Sequence, residues 1–222
     1  MDEFPSQTPL IWTNCYRLAL PFAIGKWSAR FHPVYETIIN YTSPVHRIHG
    51  GILPKHYGVA GNTDIDEAIL SPFTTLSDSI FSDGSFGVCY VARDERTAIQ
   101  EMADRLSSIM IASRTMHSEI EFILVDMNVE GLFHDFYSDD NAKKIKADTD
   151  TQNLGRILRT EESDGILFLN RSTENDTPCL AVFNAQCLKI NSCDQRVILT
   201  WSEGRFIGYS FRSEMVALDD TY

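Results

Sequence analysis

No apolar run in this chain reaches the roughly 18 to 20 residues that a membrane span needs. The opening MDEFPSQTPL has neither the basic start nor the apolar stretch of a secretory signal. Both absences lead to the expectation of a cytoplasmic, non-membrane protein. Cysteine is sparse and odd in number: Cys15, Cys89, Cys179, Cys187 and Cys193 form no C-x-x-C pair, so neither a disulfide framework nor a zinc knuckle is signalled. The thiols are expected to be reduced. Positive charge is also short, because 19 Lys and Arg stand against 31 Asp and Glu and leave a formal charge of −12. Binding a phosphate backbone needs a clustered basic face, so direct contact with nucleic acid is not the expected occupation. The negative surface suits solubility or docking on a basic protein partner. The chain has no internal repeat, low-complexity tract or Pro/Gly/Ser-rich linker, and its 222 residues read as a single domain over 1–222.

What is present is a chain of short apolar runs, with 43% of its residues hydrophobic. Residues 1–44 read as a lead-in segment covering a sheet, and within it 10–42 mix aromatic and aliphatic residues without a clean period, as irregular or helical structure would. VHRIHG (45–50) reads as a short strand and the glycine-rich GGILPKHYGVAGN (50–62) as a loop and candidate site wall. FGVCYVA (86–92) is a compact apolar strand. Asp94 can cap the helix that follows, with Ala98, Ile99, Met102, Ala103 and Leu106 on one face. SEIEFILVDMNV (118–129) predicts a strand, TQNLGRILRTE (151–161) a short helix, and DGILFLN, CLAVFNA, RVILTW and FIGYSF four further strands. Strands outnumber helices and cluster late in the chain, which predicts an α+β domain around a mixed, mostly antiparallel sheet with flanking helices.

Taken singly, the polar positions stay ambiguous. Glu101 falls beside the apolar stripe of its helix, where it can line the edge of the core or meet water, and solvated glutamates are the commoner case. Tyr90 can be core or a ligand platform, and Arg47 can be an ordinary surface residue. His46, His49 and His56 lack a carboxylate or cysteine at a recognisable ligand spacing, so no metal site is predicted.

Three blocks, in order, carry a resemblance. VHRIHG contains an R-[VI]-H pattern at Arg47–His49. GSFGVCYVARDERTAIQE resembles a G-x-L-Y-x-A strand whose tyrosine, Tyr90, is followed eleven residues later by the glutamate of an A-x-x-E helix, Glu101. DGILFLNRSTENDTPCLAVF resembles a D-G-[IV]-x-[YF]-x-S strand ahead of a C-x-A-[LV]-F strand. Together, over about 45–190, they are similar to the RES-domain family, named for an arginine, a glutamate and a serine. Two positions depart from its pattern. Asn170 stands where the serine belongs, with Ser172 two residues on, and no arginine occupies the R-F position ahead of the tyrosine strand, where EAILSPFTTL offers only Phe73.

The resemblance implies a fold related to ADP-ribosyltransferases and a toxin-like enzyme that consumes NAD as a substrate, with no recycled cofactor. It implies Glu101 and Arg47 as catalytic residues, the first stabilising charge on the ribose and the second holding phosphate oxygens. Tyr90, Tyr57, His49, Asn170 and Ser172 are implied as substrate-binding residues. A small DNA-binding antitoxin is the implied partner, and self-association is left open. Three readings follow: an NAD glycohydrolase or phosphorylase, an ADP-ribosyltransferase acting on a protein, and a degenerate binding protein without chemistry.

Overall fold

The computed structural model describes residues 4–19, 72–73, 78–138, 149–169 and 177–212. Its elements in chain order are β1 (Gln7–Ala19), β2 (Cys89–Ala92), α1 (Glu95–Ala112), β3 (His117–Asp135), α2 (Thr149–Thr160), β4 (Gly165–Leu169), β5 (Pro178–Val182), a 3-10 turn at Ala185–Cys187, β6 (Leu188–Ser202) and β7 (Arg205–Arg212). The expected α+β architecture is the one observed: a mixed, mostly antiparallel sheet flanked by helices. Strand β3 is its spine. One edge pairs antiparallel with β1 from Gln7↔His134 to Ala19↔Ile123, and the other pairs with β6 and then, beyond Val129, runs parallel to β4. Because β1 also meets β2 at Tyr16↔Ala92, and β2, β5 and β4 pair in succession, the strands close into a ring β1-β2-β5-β4-β3. Strands β6 and β7 extend the sheet beyond it.

Alternation along each strand sends one set of side chains into the ring and the other outward. Cys15, Cys89, Val91, Val125, Met127 and Val182 fill the interior. Outside, α1 lays Ile99, Met102, Leu106 and Met110 against Leu18, Phe122, Leu199 and Trp201 of the sheet. Burying each such large side chain is worth about 1.5–3 kcal/mol, which fixes the helix against the sheet more firmly than its intrinsic propensity does. The predicted cap is present, with Thr97 N donating to Asp94 Oδ1 at 2.9 Å and Thr97 Oγ1 to Oδ2 at 2.9 Å. A third cluster, with Phe81, Tyr90, Phe136, Leu158 and Phe168, lies under α2. That helix sits so close to the 78–83 turn that a Cβ at Gly155 would collide with the Phe81 carbonyl oxygen.

Two expectations about elements change. The expected lead-in contains strand β1, not irregular or helical structure over all of 10–42, and 7–19 is an integral part of the sheet. Its period is hidden by a bulge between Trp12 and Cys15, where Asn14 takes φ 53 and its N–H is held by Asn128 Oδ1 at 3.1 Å. Strand β6 begins at Leu188, earlier than the apolar RVILTW, because Ile190 and Ser192 pair with Met127 and Asp126 through their backbones while the side chains from Lys189 to Gln195 face water wholly or in part.

Candidate active site

Strand β2 is only four residues long, and its turn into α1 decides what the two elements bring together. Helical spacing puts Ala98, Glu101 and Arg105 on neighbouring turns of one flank, beside the buried stripe. Tyr90 projects from β2 on the side that faces this flank. Where β1 and β2 share their single pairing, a small cleft with a cavity volume of about 10 Å³ opens, lined by Tyr16 and Arg17 of β1, Tyr90 of β2, Glu101 of α1, Phe168 of β4 and Cys179 of β5.

Glu101 is the unusual member. Among the described residues its carboxyl has neither a hydrogen bond nor an ion pair; the ion pairs there are Arg156–Asp83 and Arg212–Glu121. Burial pushes its pKa above the ordinary 4.5, Asp104 adds to the rise, and the charges of Arg105 and Arg17 oppose it. The side chain is half-buried, and a carboxylate partly withdrawn from water with no fixed partner is the kind of perturbed group that concentrates at functional sites.

Tyr90 stands differently from a free ligand platform. Its hydroxyl donates to Ser79 Oγ at 2.9 Å and accepts from Phe81 N at 3.1 Å, so the phenol tip of this cleft-lining residue ties down the 78–83 turn. Burial pushes its pKa up to about 12. Tyr90→Phe leaves the Phe81 N–H without its acceptor, a loss of about 1–3 kcal/mol. With about 2–4 °C per kcal/mol for a chain of this size, Tm is expected to fall by roughly 2–12 °C in a thermal melt followed by circular dichroism. An unchanged Tm would show that the turn does not depend on the hydroxyl.

The structure also brings in Arg17, which sequence reasoning passed over. Its Nη1 donates to Cys89 Sγ at 3.2 Å, and the side chain borders the cleft that contains Glu101. A signal was available: a lone arginine inside the apolar CYRLALPFA is a charge at a position otherwise suited to burial. Of the residues expected in the site, Glu101 and Tyr90 line one cleft. Arg47, His49, Tyr57, Asn170 and Ser172 lie outside the described residues, and β4 ends at Leu169, just before Asn170.

An α+β protein with a ring of strands and a partnerless carboxylate in a cleft between β1, β2 and α1 is the class defined by this geometry. The chain belongs to the RES-domain family: residues 44–202 match the RES domain. Strand β1, with Arg17, precedes the matched stretch. Among solved structures, the chain is similar to one described as the crystal structure of the M. tuberculosis MbcT-MbcA toxin-antitoxin complex, with 10% identity and a TM-score of 0.44 over 90% of this chain and 87% of that one. A comparison with curated proteins finds no match. Among the described residues no helix is long and apolar enough to cross a membrane.

Proposed function

We propose that this RES-domain chain is a toxin-like enzyme that consumes NAD by breaking the bond between nicotinamide and C1′ of its ribose. The observation that carries the reading is the half-buried Glu101 carboxyl, without a hydrogen bond or ion pair among the described residues, in a cleft that Arg17 also lines. In the reaction the C1′–N bond electrons leave with nicotinamide, which becomes neutral, and positive charge builds on the ribose. A carboxylate held near that carbon stabilises the transition state more than the ground state. An oxygen of water or inorganic phosphate then bonds to C1′; with water, its proton passes to solvent. Arg17 supplies a planar, permanently charged fork for the pyrophosphate oxygens, and Arg47 is assigned a second. NAD is thus a substrate. A small DNA-binding antitoxin is the proposed partner, on the family resemblance.

A reading without chemistry is favoured by Asn170 in place of the serine and by the missing arginine ahead of β2. Arg17 weighs against it, because it brings an arginine to the wall of the cleft from a different strand. Incubating the purified protein with NAD, with and without phosphate, and identifying the products by mass spectrometry decides the matter. Free nicotinamide with ADP-ribose marks a glycohydrolase, and with a phosphorylated ADP-ribose a phosphorylase. Nicotinamide with ADP-ribose found only on added protein marks a transferase. Intact NAD in all conditions would overturn the proposal in favour of a binding protein.

A further inference from the structure

Among the described residues the Arg17 guanidinium has one hydrogen bond, the one that Nη1 donates to Cys89 Sγ at 3.2 Å. Cys89 is 1% exposed, lies in the ring interior with Cys15, Val91 and Val182, and precedes Tyr90 in β2. An arginine that reaches into such an apolar interior needs an acceptor there. A carboxylate acceptor would hold the guanidinium and neutralise it at once. A thiol sulfur differs, since it accepts a hydrogen bond without carrying charge. Burial pushes the Cys89 thiol up, which keeps it neutral beside the cation. The same burial makes it a poor nucleophile and leaves its acceptor role as the one the geometry supports.

We propose that Cys89 is a positioning residue: its sulfur fixes the direction of the Arg17 guanidinium without neutralising it, so that the other N–H donors and the full charge face an anionic part of the ligand in the cleft. This rests on the NAD reading above, under which that anionic part is the pyrophosphate. Such a contact exists in both ground and transition states, so its loss weakens binding and leaves the chemical step alone.

The test compares wild type, Cys89→Ser and Cys89→Ala for KM, kcat and Tm. Cys89→Ala removes the acceptor and is expected to raise KM for NAD about tenfold with kcat within about twofold, as for loss of one charge-assisted contact. Cys89→Ser keeps a neutral acceptor and is expected to hold KM within about threefold of wild type, since only the hydrogen-bond length changes. A packing role would lower Tm in both variants and make the polar serine no better than alanine; equal KM values for the two would overturn the proposal. If the wild type leaves NAD intact, the NAD reading has failed, and the positioning contact is judged from thermal unfolding of Arg17→Met, Cys89→Ala and the double variant. The Tm loss from Cys89→Ala is then expected to shrink by more than half in the Arg17→Met background, as coupled neighbours require, and additive losses would overturn it.

Discussion

Glu101→Gln is expected to lower NAD turnover by roughly a hundredfold or more, the scale of losing one preorganised electrostatic group. Glutamine keeps the shape of the side chain and removes only the charge, so the loss falls on kcat, with KM little changed. The acid limb of the pH profile carries a second signature. Because burial holds the Glu101 pKa above 4.5, activity should rise with pH along a limb displaced upward from the ordinary carboxylate range, and the variant should lack that limb. Stability moves in the opposite sense. A folded-state pKa above the unfolded value means that the folded protein binds the proton more tightly, so Glu101 costs nothing below pH 4.5 and its ionisation destabilises the fold as pH climbs to the raised value. Glu101→Gln should therefore melt no lower than wild type at neutral pH, and the difference should close in acid. If the protein acts as proposed, expression of the wild type should deplete cellular NAD and the variant should be tolerated. A variant as active as its parent, or one that melts well below it at neutral pH, would reduce Glu101 to a packing residue.

Arg17→Ala should raise KM for NAD by roughly ten- to a hundredfold, since losing one hydrogen bond to a charged oxygen gives up about 1.5–3 kcal/mol. It should also displace the acid limb further upward. Arg17 counters the desolvation of Glu101, so its removal raises that pKa again and less of the carboxylate is ionised at a given pH. Arg17→Lys separates the two effects. An ammonium restores the charge, and with it the position of the limb, but offers no bidentate fork, so KM should stay high. Kinetics over a range of pH for the three proteins read both quantities. If alanine leaves KM and the limb where they are, Arg17 is only the donor to Cys89 and the anion lies elsewhere.

The motif that joins a strand to a helix was the legible part of this site. Tyr90 and Glu101 are close in sequence, the helix period is clean, and Asp94 announces the start of α1, so local chemistry alone brings both residues toward one cleft. Arg17 was hidden for the converse reason. It reaches the site through pairings across long sequence distances, and the bulge at Asn14 breaks the alternation that marks a strand. The start of β6 escaped in the same way, since the segment from Lys189 to Gln195 is held by backbone pairing while its side chains largely meet water. Hydrophobic pattern reports what a side chain buries, and these segments take their place through main-chain bonds that no side chain records. The hydroxyl of Tyr90 shows a further limit: a tyrosine in a site motif does not disclose that its phenol already serves Ser79 and the Phe81 amide.

The ring of strands sets a timetable for the living chain. Strand β1 is made first, but its partners in β3 come far later: Thr8 and Phe133 are 125 residues apart and Cys15 and Met127 are 112 apart. At about 5–20 residues per second, the first strand waits roughly 6–25 seconds before β3 exists. Contacts of such separation must also repay a large loop-closure entropy, which makes ring closure a slow, late event. The cleft needs Arg17 from that first strand, Glu101 from the middle of the chain and Cys179 from β5. A nascent chain therefore carries the pieces of the site without the site, and the cleft around the carboxylate is complete only once β5 has been made.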